Sequence, residues 1–180
     1  MSARLWAYLF GVELALLQTG AFFHLQVRLT AAYPSYLTVL LTWLAGSIIG
    51  LRLARGGASL GPVIRWTGGA LVAYYASYLL LRAFPYELTL LPLHGGSTLA
   101  AGIAAGVFFA TARRLFLSAS PLFFWENNGF ITGWVVGFVG YTLWAERFTL
   151  LAPPVGLALV ALAGYAAWRR AHPPFIPAAR

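Results

Sequence analysis

The chain has 180 residues, 61% of them hydrophobic and 9% charged, with a mean hydropathy of +0.78, a composition that marks an integral membrane protein rather than a soluble domain. There is no Cys, Asp or Lys: all twelve cations are Arg and the four acids are Glu13, Glu87, Glu126 and Glu146. This excludes disulfides, thiolate metal sites, a Cys nucleophile and intramembrane aspartyl chemistry. The net charge of +8 would suggest nucleic acid for a soluble protein. Here the arginines cluster at the ends of apolar runs, so lipid and not nucleic acid is the expected surroundings.

A hydrocarbon core of ~30 Å needs about 20 mostly apolar residues, and six stretches qualify: 5–27, 36–53, 63–81, 97–112, 121–144 and 150–168. The first is too long for a signal-peptide core and carries no small-residue cleavage site, so it counts as a span. Tyr33-Pro34-Ser35, Gly56-Gly57 to Gly61-Pro62, Phe84-Pro85-Tyr86 through Gly95-Gly96, Ser118 to Pro121, and Glu146 to Thr149 supply the breaks. Pro153-Pro154 is expected in the first turn of the sixth span, where backbone N–H groups lack partners anyway. The expected architecture is all-α: one six-helix membrane domain over 1–170 and a short cytoplasmic tail over 171–180.

With six spans, nine arginines (Arg4, Arg52, Arg55, Arg65, Arg113, Arg114, Arg169, Arg170, Arg180) fall on one side and three (Arg28, Arg82, Arg147) on the other. The positive-inside rule then puts both termini in the cytoplasm, in a prokaryotic inner membrane. Tyr33, Tyr36, Tyr86, Trp144 and Phe148 read as the outer aromatic belt, and Trp6, Trp66 and Trp168 as the inner one.

Small residues recur every fourth position: Thr38-Thr42-Gly46-Gly50, Gly69-Ala73-Ser77, Thr98-Gly102-Gly106-Ala110 and Gly129-Gly133-Gly137. Such stripes let helix backbones approach closely, and their reading here is packing.

Few polar groups lie at membrane depth. Glu13 shares a helix face with Leu17, Gly20 and His24, roughly 12 Å past the inner start of the first span. Glu126 lies about 8 Å past the start of the fifth span and faces the same way as its glycines, hence toward another helix. Both carboxylates fall in the inner half of the membrane, where they could share a polar pocket with Gln18, Asn127 and Asn128 that binds a proton or a substrate. The competing role for Glu126 is a cytoplasmic lock with Arg52, Arg55, Arg113 or Arg114. His24 and His94 lie toward the outer side, where one haem or one quinone could sit between them, although ordinary hydrogen-bonded histidines are the plainer reading. His172 belongs to the tail. No Ser/His/Asp constellation and no metal-ligand cluster is present, so no enzymatic activity is expected.

The exit of the second span, Gly46-x-x-x-Gly50-Leu51-Arg52-Leu53-Ala54-Arg55-Gly56, looks like the loop after the second helix of major-facilitator carriers, with Ala54 where those have Asp. More of the chain, from Gly11 to about Leu159, resembles the polytopic membrane region of spermidine-synthase-like proteins, through Glu13, Tyr36, Gly46, Gly50 and Glu126-Asn127-Asn128-Gly129-x-x-x-Gly133. The soluble aminopropyltransferase-like domain of that family has no counterpart in these residues, so aminopropyl transfer does not carry over. The resemblance implies a carrier half of three plus three helices related by inversion. Three functions remain as expectations. The first is a small-solute transport or binding subunit, acting as a homo-oligomer or within a larger complex. The second is a membrane anchor of a respiratory complex, and the third a substrate-capture subunit of an energy-coupling importer.

Overall fold

The computed structural model describes residues 3–30, 33–54 and 59–171. Arg55, His172 and the tail expected over 171–180 lie outside these residues, apart from Ala171. The described residues form six long helices and no strand: α1 Ala3–Arg28, α2 Tyr33–Leu53, α3 Leu60–Ala83, α4 Leu91–Ala112, α5 Ala119–Trp144 and α6 Glu146–Ala171. Four stretches are long and apolar enough to cross a membrane, namely α1, α2, Leu88–Leu115 containing α4, and α6. The other two are equally long, but their tyrosine, tryptophan, amide and glycine content lowers their hydropathy.

Each expected span coincides with a helix, the largest shifts being at the starts of α4 and α6. α4 starts six residues earlier than 97, because Pro92 suits a first turn and Gly95-Gly96 is taken into the helix. Gly95 there packs on the methyl groups of Thr38 and Thr42. α6 starts at Glu146, with a single residue between it and the end of α5. Ala145 alone makes that connection, with a φ of 49° that a side chain disfavours. Pro153 and Pro154 therefore sit inside α6, beyond its first turn, and must be accommodated in another way.

α1 packs most extensively on α5 and next on α6; α4 packs most extensively on α2 and next on α3. Both principal pairs are parallel and glycine-lined. A methyl group at Gly102 or Gly106 would overlap the carbonyl oxygens of Trp43 or Ser47, and one at Gly46 or Gly50 those of Leu99 or Ile103. The α1–α5 pair repeats the device: Gly129 and Gly133 face the Tyr8 and Val12 carbonyls, and Gly11 faces that of Glu126. Gly137 completes the row against Thr19. Reciprocal glycines set against carbonyls are the arrangement of interhelical Cα–H···O contacts, each worth about 0.5–1 kcal/mol. The α3 stripe is different, because nothing lies within 4 Å of a methyl group at Gly69.

One end of the bundle is a core of Trp6, Phe10, Val63, Phe108, Leu122 and Val160; the other gathers Leu25, Leu29, Val39 and Leu81. Trp6 is thus no belt residue. It is fully buried, meets Phe108 edge-on at 5.0 Å and fills the space that Gly164 leaves on α6. Tyr33, Tyr36, Tyr86 and Trp144 are exposed, as an interfacial belt requires.

The contrast between glycines gives a test. Gly102→Ala and Gly129→Ala should each destabilise the bundle by about 1–3 kcal/mol through overpacking. Gly69→Ala, which enters open space, should be neutral or stabilising by up to ~1 kcal/mol through helix propensity. Thermal unfolding of the detergent-solubilised variants measures both, and equal effects at the three positions would refute the close-packed interfaces.

Candidate functional site

The prolines of α6 organise the polar interior. Proline has no N–H, so in a helix Pro153 and Pro154 leave the carbonyls four residues earlier, Thr149 and Leu150, without their usual donors. Two consecutive tyrosines of α3 supply donors instead: Tyr74 Oη donates to the Thr149 carbonyl at 2.8 Å and Tyr75 Oη to that of Leu150. Tyr74 reaches α6 across α1 only because residue 20 is glycine; a methyl group there would overlap its hydroxyl.

The same turn of α6 binds α1 through side chains. Thr149 Oγ1 donates to the Glu146 carbonyl at 2.9 Å, so His24 Nε2, 2.9 Å from Oγ1, is the donor in that contact and carries the proton. The His24 ring packs on Tyr74 and Tyr78 at 5.3 and 4.9 Å between centroids. Arg28 Nη2 pairs with Glu146 at 2.7 Å, the ion pair found among the described residues. Arg28 and Arg82 lie over the Tyr78 ring at 5.8 and 5.9 Å. The pair is partly solvated and worth up to about 1 kcal/mol, so it orients the α1 and α6 ends more than it stabilises them.

Glu13 lies deeper on α1. It is fully buried, and among the described residues neither carboxyl oxygen has a hydrogen-bond partner. Its Oε2 lies against the Cα of Gly156, one turn beyond the proline pair, where a side chain would collide with it. An isolated carboxylate in such surroundings costs several kcal/mol, so the group is stable as the neutral acid or with a cation beside it.

The other expected site residues do not converge on Glu13. Gln18 is buried but lines a cavity toward α2 and α5. Glu126 is buried on α5, whereas Asn127 and Asn128 are exposed, and the Asn128 amide donates to the Phe124 carbonyl of its own helix at 2.7 Å. Arg52, Arg113 and Arg114 are exposed. None lies within 4.0 Å of the Glu126 carboxyl, and Arg113 instead donates to the Phe116 carbonyl at 2.9 Å. His94, fully buried on α4, takes Ser77 of α3 as the partner of its Nδ1 at 2.8 Å, leaving Nε2 unpartnered. Among the described residues no group of three or more His, Cys, Asp or Glu could hold a metal.

The tyrosine–proline contact and the Arg28–Glu146 pair were missed in the sequence. The first had a signal, since two adjacent prolines inside a span demand two donors, and Tyr74-Tyr75 is the adjacent pair of hydroxyls on another span. Compared with known proteins, the chain matches no family model, no curated protein and no solved structure.

Tyr74→Phe should cost about 1–3 kcal/mol, the penalty for an unpaired buried carbonyl. The double variant with Pro153→Ala should recover most of that loss, since alanine restores the N–H to the Thr149 carbonyl. A double-mutant cycle on unfolding midpoints measures the coupling, and additive effects would show that the two groups are independent.

Proposed function

We propose that this chain is a non-enzymatic integral protein of a prokaryotic inner membrane, with six spans and both termini cytoplasmic. It is one half of a carrier-like fold that binds or moves a small cationic or proton-coupled solute, working as a homo-oligomer or as a subunit. The observation that carries this reading is Glu13, fully buried, with no hydrogen-bond partner among the described residues, against the glycine that follows the proline pair on α6. Ionisable groups held at membrane depth without a structural partner mark ion and proton pathways.

Three features support the carrier half. At 1.5 Å per residue the two less apolar helices, α3 with 24 residues and α5 with 26, are about 36 and 39 Å long, enough for a 30 Å core. α1 relates to α5 and α6 as α4 relates to α2 and α3. That is the pattern expected if helices one to three and four to six are repeats, and an odd number of spans per repeat makes them inverted. Large apolar side chains on α2 and α5, among them Leu41, Ile48, Ile131 and Val135, are exposed and suit lipid or a second subunit.

Proton movement is the direct test. In vesicles containing the purified protein and an entrapped pH dye, an imposed membrane potential should drive proton uptake. Glu13→Gln should lower that uptake at least about tenfold while the variant keeps its helical content and elution volume, and Glu13→Asp should restore part of it. Wild-type uptake in the folded Glu13→Gln variant would refute the role of Glu13.

A further inference from the structure

Between α1, α2 and α5 lies a cavity of about 200 Å³. α2 is packed on α4 and α5 on α1, and the backbones of α2 and α5 stay apart. Side chains alone therefore close the wedge between them. Trp43 and Phe130 face each other across it with centroids 6.0 Å apart, Trp134 follows Phe130 at 6.4 Å, and Phe22 meets Tyr36 edge-on at 6.4 Å. No ionisable acid or base other than the Tyr36 phenol lines the space.

Gln18 is the exception in this aromatic wall. It is only 6% exposed, makes no hydrogen bond to a described residue, and lines this cavity as well as a gap of about 10 Å³ beside Ser97 and Thr98 that is too small for a ligand. Its amide atoms are open to the space beside them rather than sealed in the protein, and a primary amide at membrane depth is costly unless something there pairs with it. Its partner has to come from the cavity's occupant.

We infer that this cavity binds a neutral, lipid-soluble ring compound bearing carbonyl or hydroxyl oxygens, of the quinone or quinol class. A dry cavity of roughly 150 Å³ holds a benzene ring, so the space here admits one substituted ring. The ring stacks on the indole and phenyl faces, where aromatic pairs prefer offset or edge contacts. Its oxygen pairs with the Gln18 amide, and any tail leaves between α2 and α5 into the bilayer. A charged ligand would find no counter-charge, and an acyl chain would leave the amide unpaired. A single water, about 30 Å³ of liquid, could pair with the amide but would leave most of this largely aromatic space unfilled. The site is separate from Glu13, which faces α6 from another side of α1, so it stands or falls independently of proton or solute movement.

The test uses the purified protein in nanodiscs, titrated with a short-chain ubiquinone analogue while tryptophan fluorescence is followed. Wild type should show saturable quenching at a single site. Gln18→Leu should bind roughly three- to tenfold more weakly, the loss of one hydrogen bond. Leu40→Phe, which fills the cavity without touching the amide, should abolish saturation and serves as the second variant if Gln18→Leu fails to fold. Quenching that rises linearly with the same slope in all three proteins would mean partition into the bilayer and would overturn the site. Unchanged affinity in folded Gln18→Leu would overturn it as well, since an acyl chain or any oxygen-free occupant is indifferent to the amide.

Discussion

A chain in lipid gains nothing from hiding a leucine between two helices, because the surrounding tails are just as apolar; association depends on how closely the backbones can approach. Here that approach occurs twice, at α1–α5 and at α2–α4, in pairs where glycines on each helix face carbonyl oxygens of the other. Each pair is parallel. α3 and α6 are then laid against α4 and α1, and the remaining features of the bundle fill the spaces between these contacts. The wedge between α2 and α5 is one such space, left because each is committed to a different partner.

The second constraint follows from the prolines. In water a helix can leave a carbonyl to solvent, but in a membrane interior it must be paired within the protein. Pro153 and Pro154 thus dictate that α6 lie beside a helix offering two donors, and Tyr74 and Tyr75 fix α3 in that position. The glycine at residue 20 is needed so that Tyr74 can pass α1. One sequence feature on α6 therefore determines residue choices on two other helices. Gly156, in the turn after the prolines, faces Glu13, which sets the candidate site beside this repair.

The long helices were legible because twenty-residue apolar runs and their breaks are one-dimensional signals. The stripes Thr38-Thr42-Gly46-Gly50 and Thr98-Gly102-Gly106-Ala110 were legible as contact surfaces for the same reason. Their pairing with each other was not, since four-residue spacing carries no record of the partner. The α3 stripe, identical in pattern, meets open space at Gly69. Glu13 could be singled out from sequence as a carboxyl at membrane depth. Its separation from Gln18, Asn127 and Asn128 could not, because depth fixes the level of a residue along the bundle and leaves its neighbours across the bundle open.

What the sequence by itself determined is the set of elements: helices of membrane-crossing length, the residues too polar to meet lipid, and the faces too small to hold anything but a backbone. These follow from hydropathy and from the 3.6-residue period, which depend on local order alone. Only the tertiary structure decided which faces meet. It put Trp6 into the core through the gap at Gly164, gave the α6 carbonyls to Tyr74 and Tyr75, paired Arg28 with Glu146, and turned Gln18 away from Glu13 toward an aromatic cavity. The physical reason is that these contacts join residues far apart in the chain, and their geometry is set by the close approach of whole helices.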